Sequence, residues 1–454
     1  MQKDNKVRQA IFSQRRWFTL GIGLKRWLVL SLLGAGLVGM GIVFGALWLQ
    51  QQGWLPDSIF KFVFLQDLPV LWRIVLPLFL GGAVVLFAIA RLGTNLVAPF
   101  RAPDQDVVES LYDYSRRGRG PHIVAIGGGT GMPSLLRGLR PYTHNITAIV
   151  TVADDGGSSG RLREEFGLLP PGDFRNNLAA LARDETLMTQ VLQYRFGGAV
   201  GQNGKSELQG HAFGNLLLAA LTGITGSFDE ALLAAERVLA LRGRVLPSTL
   251  AEVRLAADVM VQEGETAVLH YIIGESLIPK AGGQIQHVYL EPHDVRAYPP
   301  AIQAIFRADL IVMGPGSLYT SILPNLLVPD LAEALRRAQA PKIYVCNLAI
   351  QPGETDNYTV ADHVTAILQH VPTGCLDIVL ANDNLSVPAE QGGGKTIYVQ
   401  PNRLPPTVPE QVKIIMADLV DEERPWRHDS QKLAQAVLSL LSDNRKTSNV
   451  MPKR

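Results

Sequence analysis

Hydrophobic positions fall into two kinds of run along this chain. Near the start they are long: no charged residue occurs between Trp27 and Leu49, and a second uncharged run, Ile74 to Ala90, is bounded by Arg73 and Arg91. Beyond residue 121 they are short and β-branched: His122–Ile126, Ile146–Val152, Leu310–Met313 and Lys342–Asn347, each running into a loop of small polar residues. The long runs predict membrane helices, because about 20 apolar residues cross a bilayer core and lipid forces backbone amides to pair internally. The short runs predict strands of a buried sheet, with helices between them: the amphipathic stretch Ser134–Leu139, Leu178–Ala182 and the apolar run Leu216–Leu221.

The second long run reaches spanning length if Leu68–Trp72 extends it and Arg73 snorkels; Pro77 and the Gly81-Gly82 pair predict a bend. A cleaved secretory leader is the rival for the first run. Such leaders have an apolar core of about 7–15 residues followed by a small-residue cleavage site, whereas this run is longer and ends in Leu47-Trp48-Leu49-Gln50. Lys3, Lys6, Arg8, Arg15, Arg16, Lys25 and Arg26 precede the first run, Lys61 alone is basic between the two, and Arg91, Arg101, Arg116, Arg117 and Arg119 follow. Basic residues stay on the cytoplasmic side, so a multi-pass protein of the inner cell membrane is expected, with both its N-terminus and its main domain in the cytoplasm. Trp27, Trp48 and Trp72 sit where interfacial rings belong. The expected organisation is a basic N-terminus (1–26), a two-span hairpin (27–91), a linker (92–120) with a short helix around Val107–Tyr114, an α/β domain (121–443) and a flexible tail (444–454).

Chemistry collects where the short strands end. His122–Ile126 leads into Gly127-Gly128-Gly129-Thr130-Gly131 and then a helix, the arrangement that lets backbone and a helix N-terminus approach a phosphate; tight glycine turns also have purely structural uses. Ile146–Val152 leads into Asp154 and Asp155, followed by Gly156-Gly157-Ser158-Ser159-Gly160, Arg161 and Arg163. Adjacent carboxylates suit a hard cation or ribose hydroxyls, and arginine forks suit anions; the bland alternative is a solvated acidic turn. Asp173 stands before a helix and reads as its N-cap, a role compatible with ligand contact. His211 is either a satisfied structural histidine or a ligand contact. Leu310–Met313 opens into Gly314-Pro315-Gly316-Ser317-Leu318-Tyr319-Thr320-Ser321, and Asn347 opens the loop through Gln351 to Asp356. One such loop is easily coincidental; four at strand ends predict a single ligand rim.

Composition narrows the classes. Charged residues are 18% and apolar ones 47%, and the net charge is only +1, so no nucleic-acid partner is expected. Cys346 and Cys375 make no disulfide framework and read as buried small hydrophobes. Gly156-Gly157-Ser158-Ser159-Gly160 matches the pattern of a hydrolase nucleophile elbow, but an acidic pair separates the serine from its strand. Gly204-Lys205-Ser206 lacks the earlier glycine and the leading strand of a P-loop.

Taken in order, GGGTG at 127–131, TVADDGGSSGRLR at 151–163, PPGDFRN at 170–176, GHAFGN at 210–215, GPGSLYTS at 314–321 and QPGETD at 351–356 closely resemble the YvcK-type gluconeogenesis factors. These belong to the CofD-like superfamily, which includes the 2-phospho-L-lactate transferases. The resemblance covers about residues 121–443; an insertion around Gly197–Glu207 and the hairpin depart from it. It implies a Rossmann-like, mostly parallel sheet with helices on both faces. It also implies binding of a nucleotide-diphosphate sugar of the UDP-sugar kind, in a protein concerned with gluconeogenic growth, cell shape and wall-precursor supply. The transferase branch uses a divalent metal, so Mg²⁺ is the implied cofactor.

On that basis Gly128, Gly129, Thr130 and Gly131 are expected to cradle phosphate, with Gly316, Ser317 and Thr320 beside them. Asp154 and Asp155 would hold Mg²⁺ or ribose hydroxyls and are the catalytic candidates if a transfer occurs; Asp173 would be a cap or a further metal ligand. Arg161 would offset phosphate charge, and Asn176, Asn215 and Asn347 would read base or sugar. The leading expectation is a regulatory binder of a nucleotide sugar at the membrane, and a homo-oligomer is compatible with it. The alternatives are a metal-dependent transferase and a membrane scaffold that uses the fold structurally.

Overall fold

The computed structural model describes residues 24–450, apart from positions within 55–66, 98–119, 198–207 and 387–396 and position 407. The long apolar runs form helices α1 (Leu24–Gln51) and α2 (Val70–Val97), the latter continuing through Pro77. Leu33–Gln51 has a mean hydropathy of 1.7 with none of it buried, and among the described residues it is the one unbroken helix long and apolar enough to cross a membrane. The apolar described part of α2, Val70–Val85, is shorter. One candidate span is therefore present, not the two of the expected hairpin. α2 also reaches past residue 92, where the linker was expected to begin. The chain divides into two compact units between Arg116 and Arg117. The expected helix at Val107–Tyr114 and the Gly204-Lys205-Ser206 stretch lie outside the described residues.

The second unit is built on a central set of short buried strands. β1 (Ile123–Gly127) is followed by α3 (Met132–Leu139), β2 (Ile146–Val150), α4 (Gly157–Phe166), α5 (Pro171–Leu181) and α6 (Glu185–Gln193). After α7 (Phe213–Thr225), α8 (Phe228–Val238) and β3 (Arg244–Pro247) the chain makes β4 (Arg254–Glu263), β5 (Thr266–Ile273) and β6 (Gln284–Glu291). It then makes α9 (Pro299–Arg307), β7 (Leu310–Met313), α10 (Pro329–Arg337), β8 (Lys342–Val345), α11 (Val360–His370), β9 (Ile378–Asn382), β10 (Lys413–Ala417) and α12 (Ser430–Val450). α12 thus runs through most of the tail expected from residue 444.

The central sheet has the order β10-β9-β8-β7-β1-β2-β3, and all of its neighbours pair in parallel. Every residue of β1, β7 and β8 is buried, which is why these strands read as unbroken apolar runs rather than as an alternation. Right-handed crossovers running away from the centre in both directions put helices on opposite faces. α3 packs on α5 and α12, while α9 packs on α10. The chain leaves β1 toward β2 and β3, then returns on β1's other side as β7. A crevice therefore opens at the carboxyl ends of β1 and β7, where parallel sheets hold ligands. The antiparallel sheet β5-β4-β6 is a separate layer.

Candidate functional site

The loops after β1 and β7 meet across that crevice. A β-carbon on Gly131 would stand 2.6 Å from the Pro315 carbonyl oxygen, and one on Gly316 would stand 3.3 Å from the Gly128 carbonyl oxygen. Only glycine at 131 lets the two backbones come this close. Gly131 caps α3 at its N-terminal end, so the free amides of that helix open onto the same loop.

Neighbouring elements add carboxylates. The Gly129 N–H donates to Asp173 Oδ2 at 2.7 Å, the Gly156 N–H to Asp154 Oδ1 at 2.9 Å, and the Ser276 N–H to Asp155 Oδ1 at 2.9 Å. Asp173 is therefore not an N-cap: α5 begins at Pro171 behind Pro170, and Asp173 lies in its first turn with its carboxylate turned to the glycine loop. The residues after the acidic pair are helical: α4 starts at Gly157, with Ser158 and Ser159 in its first turn. On the β7 side, Gln351 Nε2 donates to Ser317 Oγ and, at 3.3 Å, to Glu354 Oε1, Thr320 Oγ1 donates to Glu354 Oε1 at 3.2 Å, and Asn347 Nδ2 donates to Gln351 Oε1 at 3.4 Å. Ser317, Thr320 and Asn347 thus belong to one network.

Burial raises the carboxyl of Asp154 above its ordinary value and pushes Asp173 up to about 6. Burial, then the charges of Asp154, Asp155, Glu354 and Asp173, lifts Glu275 to about 8. Burial also raises Glu354 to about 7, and its Oε2 has no hydrogen-bond partner among the described residues. Oxygen donors of this kind suit a hard divalent cation, and Mg²⁺ usually takes only one or two carboxylates and leaves other positions to water or phosphate. Among the described residues no three His, Cys, Asp or Glu side chains already form a cation cage. Partial ligation of a cation that also holds a bound phosphate is the arrangement these residues fit.

Beside the glycine loop lies a cavity of about 800 Å³ whose lining includes Thr130 and Asn176 together with Arg137, Arg175, Arg195, Arg424 and Arg427. Arg137 pairs with Glu185 and Arg424 with Asp421. Arg175 is 8% exposed; its Nη1 donates to Asn215 Oδ1 at 3.2 Å and its Nη2 to Asn176 Oδ1 at 3.0 Å, leaving Nε without a partner among the described residues. Burial and the nearby charge of Arg195 both lower Arg175 from its ordinary value, so an anion in the cavity would relieve both.

Gly128, Gly129, Thr130, Gly131, Asp154, Asp155, Gly316, Ser317, Thr320 and Asn347 lie in the segments that follow β1, β2, β7 and β8, and Asp173, in the first turn of α5, reaches the β1 loop through its bond to Gly129. Asn176 lines the cavity, and Asn215 is buried behind Arg175. Arg161 is exposed on α4 and is not among the cavity's lining residues; its Nη2 donates to the Gln209 carbonyl at 3.2 Å. His211 is buried, with Nδ1 3.1 Å from Ser158 Oγ; burial and the charge of Arg161 lower its affinity for a proton. Sequence reasoning missed Glu275 and Glu354 as site members, and Arg175 and Arg195 as cavity arginines. Glu354 and Arg175 sit inside motifs already singled out, QPGETD and PPGDFRN; Glu275 carries no local signal.

A parallel sheet with helices between its strands, a glycine loop at a helix N-terminus and a basic cavity beside that loop define an α/β protein with a mostly parallel central sheet. The model of the 2-phospho-L-lactate transferase CofD family matches residues 123–436, and the chain belongs to that family. It is 43% identical over 335 residues to the gluconeogenesis factor of Bacillus subtilis, which 72% of this chain covers in full (100% of the relative). A Nostoc relative, likewise named for gluconeogenesis, is 43% identical over 452 residues, covering 96% of this chain and 94% of its own length; the N-terminal region is thus shared with that relative. The crystal structure of a UPF0052-family protein from Bacillus halodurans superposes with a TM-score of 0.61 at 42% identity, over 70% of this chain and 99% of its own.

Proposed function

We propose that the second unit binds a nucleotide-diphosphate sugar of the UDP-sugar kind and acts as a regulator of carbon flux, cell shape or wall-precursor supply, held at the membrane through its N-terminal helices. The cavity beside the glycine loop carries this reading. Its volume of about 800 Å³ lies within the ~300–1,000 Å³ usual for small-molecule sites. Its arginines offer charge-assisted donors to a diphosphate, and Thr130 joins it to the N-terminus of α3, where amides favour anions. A Mg²⁺ ion held by Asp154 or Asp155 would share the diphosphate's charge and relieve the repulsion among the carboxylates.

Calorimetry of the protein with UDP-sugars, with and without Mg²⁺, tests the reading. Saturable binding that strengthens with Mg²⁺ and leaves the sugar nucleotide intact is the expected result. Arg195→Gln should weaken it roughly 10–100-fold, the worth of about one charge-assisted hydrogen bond. Absence of binding to any nucleotide would reject the proposal. The metal-dependent transferase of the 2-phospho-L-lactate transferase kind is the second reading. Glu275, lifted to about 8, favours it, because such a group can carry a proton at neutral pH. Release of a nucleoside phosphate during the same titration would point to that reading.

A further inference from the structure

β5 is paired on one side only. It forms eight unbroken antiparallel pairs with β4, from Thr266 opposite Glu263 to Ile273 opposite Ala256, and among the described residues nothing pairs with its other edge. Its sequence, Thr-Ala-Val-Leu-His-Tyr-Ile-Ile, contains no proline, lysine or carboxylate. The outward face carries Leu269, Tyr271 and Ile273 at 54%, 53% and 42% exposure, and Leu277 beyond the strand is 52% exposed. Folded proteins usually shield such an edge by shortness, proline, charge or a bulge, or cover it. The one bulge in this sheet lies on the far side, between β4 and β6 at Asp258/Val259.

We propose that this edge is the interface between two copies of the chain, with β5 pairing antiparallel to β5 of the second copy about a two-fold axis at His270. Antiparallel pairing of identical strands is self-complementary: residue i meets j while j meets i. With His270 on the axis, Leu269 of each copy faces Tyr271 of the other, and Ala267 faces Ile273, so the apolar faces become continuous. Sliding by one step in one direction sets Glu265 against Ile273. Sliding the other way runs into Gly274, whose N–H to the Leu255 carbonyl is the last bond of the β4–β5 register and whose φ of +124° ends the strand. Edge-to-edge pairing keeps the outward side chains on one continuous face, so what is buried is the two strand edges and the Leu269–Tyr271 cross-strand contacts, less than the ~1,200–2,000 Å² of standard stable interfaces. The dimer is therefore a modest one. It also bears on the candidate site, since β5 leads straight into Gly274-Glu275-Ser276, the turn whose Ser276 N–H holds Asp155.

The test uses the full chain in detergent, where the two native cysteines are buried. His270→Cys should give a disulfide-linked dimer on mild oxidation. Val238→Cys, on α8 and 68% exposed, should not. Leu269→Asp should raise the dimer dissociation constant at least ten-fold by analytical ultracentrifugation, with an unchanged circular-dichroism melt. A wild-type chain that is monomeric at tens of micromolar overturns the proposal. So does a dimer that ignores Leu269→Asp, or equal cross-linking through both introduced cysteines. Nucleotide binding enters none of these readouts, so their outcome is separate from that of the proposed ligand.

Discussion

Asp173 shows how much one side chain's surroundings decide. Its carboxyl is pushed from 3.8 to about 6 by burial, so between those values the folded chain keeps a proton that the unfolded chain has lost. Stability then falls as pH rises through that window, by up to about 3 kcal/mol for a shift of this size. Glu354, raised to about 7, and Glu275, raised to about 8, carry the decline toward neutral and mildly basic pH. The unliganded protein should therefore melt at progressively lower temperature from pH 5 to pH 8 in differential scanning fluorimetry. Asp173→Asn keeps an acceptor for the Gly129 N–H and removes the charge, so it should flatten that decline and stabilise the protein at pH 8. A melting profile in Asp173→Asn identical to wild type would refute the assignment.

The crossing of α3 and α12 sets the cavity's far wall. A β-carbon on Gly138 would lie 1.8 Å from the Ser430 carbonyl oxygen, so the two helices touch backbone to backbone there. Ser430 begins α12, and the segment just before it supplies Asp421, Arg424, Arg427 and His428 to the cavity lining. Gly138→Ala must push α12 away and carry that segment with it. Overpacking of this kind typically costs about 1–3 kcal/mol, and chemical denaturation should show at least that loss. Nucleotide-sugar affinity, if the cavity holds the ligand, should fall in the same variant although no lining residue has changed. An unaltered affinity would separate the cavity from the ligand.

Across the whole chain, the two units differ in the surface they present. Leu33–Gln51 exposes its leucines and valines, a surface that water alone does not favour. If α1 anchors the protein, the full chain should stay with the membrane fraction in high salt, because burial of apolar surface is not screened as surface charge is. A chain starting at residue 98 should move to the soluble fraction and keep its ligand affinity, since 72% of this chain already covers the whole Bacillus subtilis relative. Salt-extractable full-length protein would argue against anchoring.

The amino-acid order alone determined the central strands and the loops at their carboxyl ends, and with them the fold class. β1, β7 and β8 are buried on both faces, so their apolar character is continuous and local, and each glycine or aspartate loop follows its strand directly. Asp154, Asp155, Thr130 and Ser317 were legible for that reason. β4, β5 and β6 were not picked out, and Glu275 could not be, because its place beside Asp155 depends on a turn 120 positions further along the chain. The same holds for the cavity arginines. Arg161 lies next to the acidic pair in sequence but bonds the Gln209 carbonyl and is not among the cavity's lining residues, while Arg175, Arg195, Arg424 and Arg427 are brought to one cavity by tertiary packing. Local pattern fixes what a segment becomes; which charges face one another is set by long-range packing, and no periodicity along the chain records it.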